Sequence, residues 1–143
     1  IFSRLSARLM DFSRLKEQFQ REVVAEMQRI ALDNREEVIT RTGRGLDVNS
    51  QSFTAYTPKY AKFKASKGRN GRVDLRFSGR MLQSFQTQVF QRGSKFIARI
   101  YPGSNLDALK VRGNMRWREF FAISDKQKQE FRDRMTNVFR RLK

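Results

Sequence analysis

A single apolar stripe limits what this chain can become. Phe12, Leu15, Phe19, Val23, Met27 and Ile30 follow one another at three- and four-residue steps, and Val38 stands two such steps further on. That spacing lines one side of an α-helix, and no proline interrupts it before Thr42. Gly43 stands where a left-handed cap would stop the helix. Asp11 or Ser13 can serve as N-cap, which would set residues 1–10 apart as a short helical arm carrying Leu5 and Leu9. At about 1.5 Å per residue, the helix from Phe12 to Thr42 spans roughly 45 Å, longer than a domain of this size is wide. A helix that outruns its own domain leaves one end for a neighbouring subunit, although most of the stripe is expected to be ordinary core. Glu17 with Arg21, and Glu22 and Glu26 with Arg29, are expected on its solvated outer face.

Charge is divided unevenly around this helix. Of 31 basic and 14 acidic residues, 8 and 7 fall within residues 1–42, so the net charge is +1 there and +16 over residues 43–143. Such a field favours anionic partners, either nucleic acid or the acidic face of another protein. At 143 residues, with 13 Phe, the chain can bury one core and is expected to form one domain. No run reaches the roughly 20 apolar residues of a membrane span, and no signal segment is apparent. The expected setting is therefore the cytosol, with no membrane contact.

The chain contains neither Cys nor His. Without them there is no disulfide framework, thiolate zinc site, cysteine nucleophile, serine–histidine triad or histidine-based nuclease. Asp47, Asp74 and Asp107 show no paired spacing that would mark an acid–base couple or a two-metal site. Gly43-Arg44-Gly45 lacks the length and the Lys-Ser/Thr ending of a phosphate-binding loop. Carboxylates, Lys, Ser and Tyr remain for catalysis, and a carboxylate-only nuclease is one enzymatic alternative that nothing in the spacing favours. No catalytic residue, cofactor or metal is expected.

Residues 43–71 read as a basic, turn-rich loop in which Phe53, Tyr56 and Tyr60 alternate with Lys59, Lys62 and Lys64. Aromatics among lysines can stack nucleic-acid bases, or they can tie a loop to the core; the second use is the commoner. Asn70-Gly71 signals a tight turn. Residues 72–102 are expected to form a sheet core. Val73, Leu75 and Phe77 alternate with Asp74 and Arg76 as in a half-buried strand, and Ser78 can cap a short helix through Met81 and Leu82. Phe85, Thr87 and Val89 then pair across a Gln91–Lys95 turn with Phe96, Ala98 and Ile100, and Pro102-Gly103 closes the hairpin. An edge strand of so small a sheet needs cover, which a neighbouring copy can supply. Residues 103–143 read as a polar loop to residue 118 and then core anchors Trp117, Phe120, Phe121 and Ile123. A final helix follows, opened by Ser124-Asp125-Lys126-Gln127 and buried through Phe131, Met135, Val138, Phe139 and Leu142. The expected class is α+β.

Four stretches together resemble a known family: Arg41-Thr42-Gly43-Arg44-Gly45-Leu46-Asp47, Phe53–Lys62, Val73-Asp74-Leu75 and Ser78-Gly79-Arg80-Met81-Leu82-Gln83-Ser84. They are similar to the phage virion-morphogenesis and tail-completion proteins. In that family a long helix runs into G-x-D…F-x-x-Y-x-x-x-Y-A-x-x-K, then V-D-L-x-x-[ST]-G-x-M-L-x-S, then R-x-F-F/L-G-[IL]-S before a last helix. Arg118–Ser124 matches the third piece, with Ala122 at the usual glycine, and Tyr101-Pro102-Gly103 stands where the family often carries Y-A-x-x-H-x-x-G. The resemblance covers roughly residues 40–125. It implies a structural virion protein that acts in head–tail joining as a homo-oligomeric ring in the neck, beside tail terminator, head-closure or adaptor proteins, with phage DNA in reach. It also implies a scaffold of Phe53, Tyr56, Tyr60, Val73, Leu75, Gly79, Met81, Leu82, Phe120 and Phe121. The basic loop, with Lys59, Lys62, Lys64, Lys67, Arg69 and Arg72, would then be exposed to a partner. The competing reading is a basic nucleic-acid-binding protein, ribosomal or DNA-associated.

Overall fold

The computed structural model describes residues 2–69, 71, 73–76 and 78–142, with side chains from Ser13 onward. The apolar stripe builds helix α1, Phe2–Gly43. It is continuous through Asp11 and Ser13, so the separate N-terminal arm expected from those caps does not form. At about 1.5 Å per residue its 42 residues extend roughly 63 Å. Val23, Met27, Ile30 and Val38 are buried, whereas Leu15 is 60% exposed and Phe19 is at the surface. The stripe therefore runs past the body of the protein, and the expectation that it is core holds only from Val23 onward. Phe12 lies outside the described side chains. Glu26 is also misplaced by the sequence reading: it is buried, accepts from Arg134 Nε at 2.6 Å and pairs with Arg29 at 3.0 Å.

The left-handed residue that turns the chain out of α1 is Gly45 (φ 79°), two positions beyond the expected Gly43. Asp47 holds the following turn, its Oδ1 accepting from the N–H groups of Asn49 and Gln51, both at 2.8 Å. Helix α2, Pro58–Ser66, follows, with Thr57 Oγ1 accepting from Tyr60 N–H and proline in the first turn. The expected basic loop therefore contains a nine-residue helix that carries Lys59, Lys62 and Lys64. Helix α3, Arg80–Gln83, starts at Gly79 in a left-handed conformation, with the Ser78 Oγ before it accepting from Arg80 N–H at 3.4 Å.

Strands β1, Gln86–Arg92, and β2, Lys95–Tyr101, form an antiparallel pair joined by Gly93-Ser94, in the register Arg92↔Lys95 through Gln86↔Tyr101. This hairpin lies on α1. Helix α4, Asn105–Met115, replaces the expected polar loop, capped by Ser104 Oγ accepting from Asp107 N–H at 3.1 Å. Helix α5, Asp125–Arg141, opens with the expected capping box: Ser124 Oγ accepts from Gln127 N–H, and Gln127 Oε1 accepts from Ser124 N–H. It packs on α1 through Met135 and Val138, with Phe131 and Leu142 partly buried and Phe139 exposed. The architecture is α+β.

The core falls into two clusters strung along α1. One joins Val38 to Phe53, Met81, Leu82, Phe85, Val111 and Phe120. The other joins Val23, Met27 and Ile30 to Met135 and Val138.

Candidate interaction surface

Residues 73–76 decide how the basic segment is presented. The alternation of Val73, Asp74 and Leu75 predicts a strand, but these residues form a turn with Leu75 at φ 53°, and Phe77 lies outside the described residues. A strand needs Asp74 to point to solvent. Its carboxylate is instead drawn inward, accepting from Arg76 N–H at 2.9 Å and from Lys64 Nζ at 2.7 Å. These bonds hold a left-handed non-glycine residue that costs about 1–3 kcal/mol.

Lys64 is accordingly not part of an exposed partner-binding loop. Its side chain is 1% exposed, against 12% for Asp74, and its ammonium also lies 5.1 Å from the Tyr56 ring centroid. Burying a Lys requires a partner, and the Lys64–Asp74 bond fastens α2 to the turn before α3. Lys64 closes the F-x-x-Y-x-x-x-Y-A-x-x-K run and Asp74 is the acid of V-D-L, so two charged motif positions bond to each other.

Lys59, Lys62, Lys67 and Arg69 are exposed; Lys67 Nζ lies 5.9 Å over the Phe63 ring. Arg72, like the turn residue Asn70, lies outside the described residues. Phe53 is buried as an anchor, Tyr56 is half-buried and Tyr60 is exposed with its ring edge-on to Tyr56 at 4.8 Å. Burial pushes the Tyr56 phenol above its ordinary value, a backbone hydrogen bond at Leu75 opposing it. Val73 and Leu75 are half-buried against the core, Met81, Leu82 and Phe120 are buried, and Phe121 packs its ring 4.7 Å from that of Phe85.

A cleft of about 670 Å³ opens between the Thr54–Tyr60 segment, Leu75–Met81 and α4. Arg118 shapes one wall by donating to Thr54 O at 2.9 and 3.2 Å, with its guanidinium 5.1 Å from the Tyr56 ring. Trp117, expected as a core anchor, instead stands at the cleft rim with 73% of its surface exposed, and Ile123 is likewise at the surface. Leu106 and Leu109 are exposed on the outer side of α4, while Val111 and Asp107 face inward. Among the described residues the cleft is lined by aromatic, small polar and apolar side chains together with Lys110 and Arg118.

Arg41 is a structural residue that sequence reasoning passed over. It is buried, donating from Nη2 to Phe120 O (3.1 Å) and Ala122 O (2.9 Å) and from Nη1 to Gln127 Oε1 (3.4 Å). Gln127 in turn donates to Asn34 Oδ1 at 3.1 Å. Burial lowers the Arg41 pKa, with Glu37 and Asp47 opposing. The guanidinium thus ties the end of α1 to the Phe120–Gln127 segment, joining two further pieces of the family-like pattern.

No group of three or more metal-ligating side chains is found among the described residues, and no described helix is long and apolar enough to cross a membrane. Comparison with protein-family models, curated proteins and solved structures finds no match.

Proposed function

We propose that this chain is a non-enzymatic structural component of a bacteriophage virion, a tail-completion or neck protein that joins tail to head, acting as a ring of copies. One observation carries the reading: the separated segments that resemble that family bond to one another. Lys64 bonds Asp74, Arg41 bonds the Phe120 and Ala122 carbonyls, and Arg118 bonds the Thr54 carbonyl. Their side chains serve to hold a rigid face rather than to line a reaction centre. Around that face lie Lys59, Lys62, Lys67 and Arg69, a belt of positive charge if copies are arranged in a ring. Acidic faces of tail terminator, head-closure or adaptor proteins are its partners, with passing DNA as a second anion in reach. The protein would reside in the virion after assembly in the host cytoplasm.

Deleting the gene from the phage or prophage that carries it, followed by negative-stain electron microscopy of the lysate, tests the reading. Filled heads beside unjoined tails are expected; fully joined, infectious particles would overturn it. The exposed cations beside Tyr60 and Phe63 favour the second reading, a nucleic-acid-binding protein. That reading requires affinity for DNA or RNA that falls steeply and log-linearly with salt.

A further inference from the structure

A groove of about 780 Å³ runs along α1 between β2 and α5, and it separates the two core clusters. Ile30 and Ala31 form its floor, Ile100 and Phe121 one wall, and Phe131 the other. Ala98 lies between Phe96 and Ile100 on the strand face that meets α1, yet it is exposed. The body of the protein leaves an apolar channel open where its two cores would otherwise merge.

The strand bordering this channel has an unpaired edge. Across a two-residue turn the closing pair, Arg92↔Lys95, exchanges hydrogen bonds, and alternation makes Phe90↔Ile97 and Gln88↔Arg99 the next such pairs. Phe96, Ala98 and Ile100 therefore turn their N–H and C=O groups away from β1. Among the described residues, no backbone bond from outside the hairpin reaches them. An added strand would satisfy these groups at about 4.8 Å from β2 while laying alternate side chains on Ile30 and Ala31.

Charge selects the kind of strand. The charged residues lining the groove are Arg99, Lys128 and Arg132, with no carboxylate among them. Lys128 is partly compensated by Asp125 at 2.9 Å. Among the described residues neither Arg99 nor Arg132 forms a salt bridge: Arg99 bonds Gln88 Oε1 at 2.6 Å and lies over the Phe90 and Tyr101 rings, and Arg132 bonds Gln129 Oε1 at 2.7 Å, with Asp125 the nearby acid it shares with Lys128. A second copy of this chain, at +17, brings the wrong sign. We infer that β2 and α5 form a docking groove for an extended segment of another protein, in which apolar residues alternate with acidic ones. That segment adds to the sheet at Phe96–Ile100 and meets Arg99 and Arg132 with its carboxylates. The inference does not depend on the phage reading, and the two tests fail separately.

The probe is a blocked peptide of about seven residues alternating glutamate with valine, titrated into the isotopically labelled full chain. Its controls are the same peptide with lysine for glutamate and a scramble that breaks the alternation. Binding of the alternating acidic peptide alone is expected, with amide-exchange protection appearing at Phe96, Ala98 and Ile100. Arg99→Glu with Arg132→Glu should weaken it roughly tenfold or more. Ala98→Pro, which removes an outward N–H but no hairpin bond, should abolish it. The Arg132→Glu variant alone, altering only the exposed face of α5, keeps the test valid should the strand variants misfold. No binding at millimolar peptide, equal binding of the scramble, or protection confined to Lys59–Arg69 would overturn the inference. So would sedimentation showing that the pure chain dimerises and that Ala98→Pro abolishes the dimer, since the groove would then belong to a second copy.

Discussion

Removing Asp74 deletes the salt bridge of a buried ammonium. Lys64 is 1% exposed and its ion pair is the 2.7 Å bond to Asp74. Breaking a buried pair by deleting one partner costs about 3–5 kcal/mol, against a whole-domain stability of about 5–15 kcal/mol. Asp74→Ala also frees Arg76 N–H and withdraws the support of the left-handed Leu75, so the upper part of that range applies. The reciprocal change is milder. Lys64→Met keeps most of the volume, and Asp74, 12% exposed, retains its bond from Arg76 N–H; about 1–3 kcal/mol is expected. Urea denaturation followed by far-UV circular dichroism measures both, and Lys64→Met with Asp74→Ala closes a double-mutant cycle with an expected coupling of about 1–3 kcal/mol. Equal losses from the two single changes, or a loss below about 1 kcal/mol for Asp74→Ala, would refute the argument. One consequence is practical: alanine at Lys62, Lys64, Lys67 and Arg69 together confounds folding with binding, whereas Lys59, Lys62, Lys67 and Arg69 are exposed and can be removed together.

Arg41→Met deletes three hydrogen bonds and leaves the Phe120 and Ala122 carbonyls unpaired; a loss of about 2–4 kcal/mol in the same assay is expected, and under 1 kcal/mol would contradict the clamp. Hydrogen bonds from Ser104 hold the Asp107 carboxyl below its ordinary 3.8, with Ser84 and Lys110 contributing and burial opposing. Because the folded value is depressed, this stability is complete above the unfolded value and is lost as pH falls through the folded one. Melting temperature measured from pH 6 down to 2 should therefore fall less steeply below pH 4 in Asp107→Asn; an unchanged acid slope would oppose this. Ser124→Ala opens the α5 capping box and should cost about 1 kcal/mol, read as a shift in the urea midpoint.

The elements legible in the sequence were those whose local chemistry and packing agree. The stripe from Val23 to Val38, the Ser124–Gln127 box and the hairpin all lie where periodicity and capping predict them. The Val73–Leu75 alternation misleads because a period of two does not reveal whether Asp74 faces water; its carboxylate is captured by Lys64, which reads locally as one more surface cation. Helix α4 escapes the periodicity test because it is apolar on two sides, Val111 inward and Leu106 and Leu109 outward. Ser104-Asn105-Leu106-Asp107 nevertheless carries a capping signature that would have located its start. Trp117 reads as core by size alone, but it is 73% exposed at the cleft rim while Phe120, three residues on, takes the buried place. Arg41 and Gln127 are 86 residues apart, a separation that local patterns do not bridge.

Two clusters on one helix also shape how the molecule comes apart. The Val23–Ile30 cluster is closed by α5, whose first turn is joined to the other cluster through Gln127, Arg41 and Asn34. Detaching α5 exposes Met135 and Val138 while the packing around Phe120 and Leu82 is kept, so the molecule has a partial opening cheaper than global unfolding. Native-state hydrogen exchange would then resolve two tiers, with amides of α5 and the Val23–Ile30 stretch exchanging before those around Val38. The long helix is a shaft along which two clusters share the hairpin, through Val89 and Phe96 on one side and Ile100 on the other, and a strand bound beside β2 would lie against both.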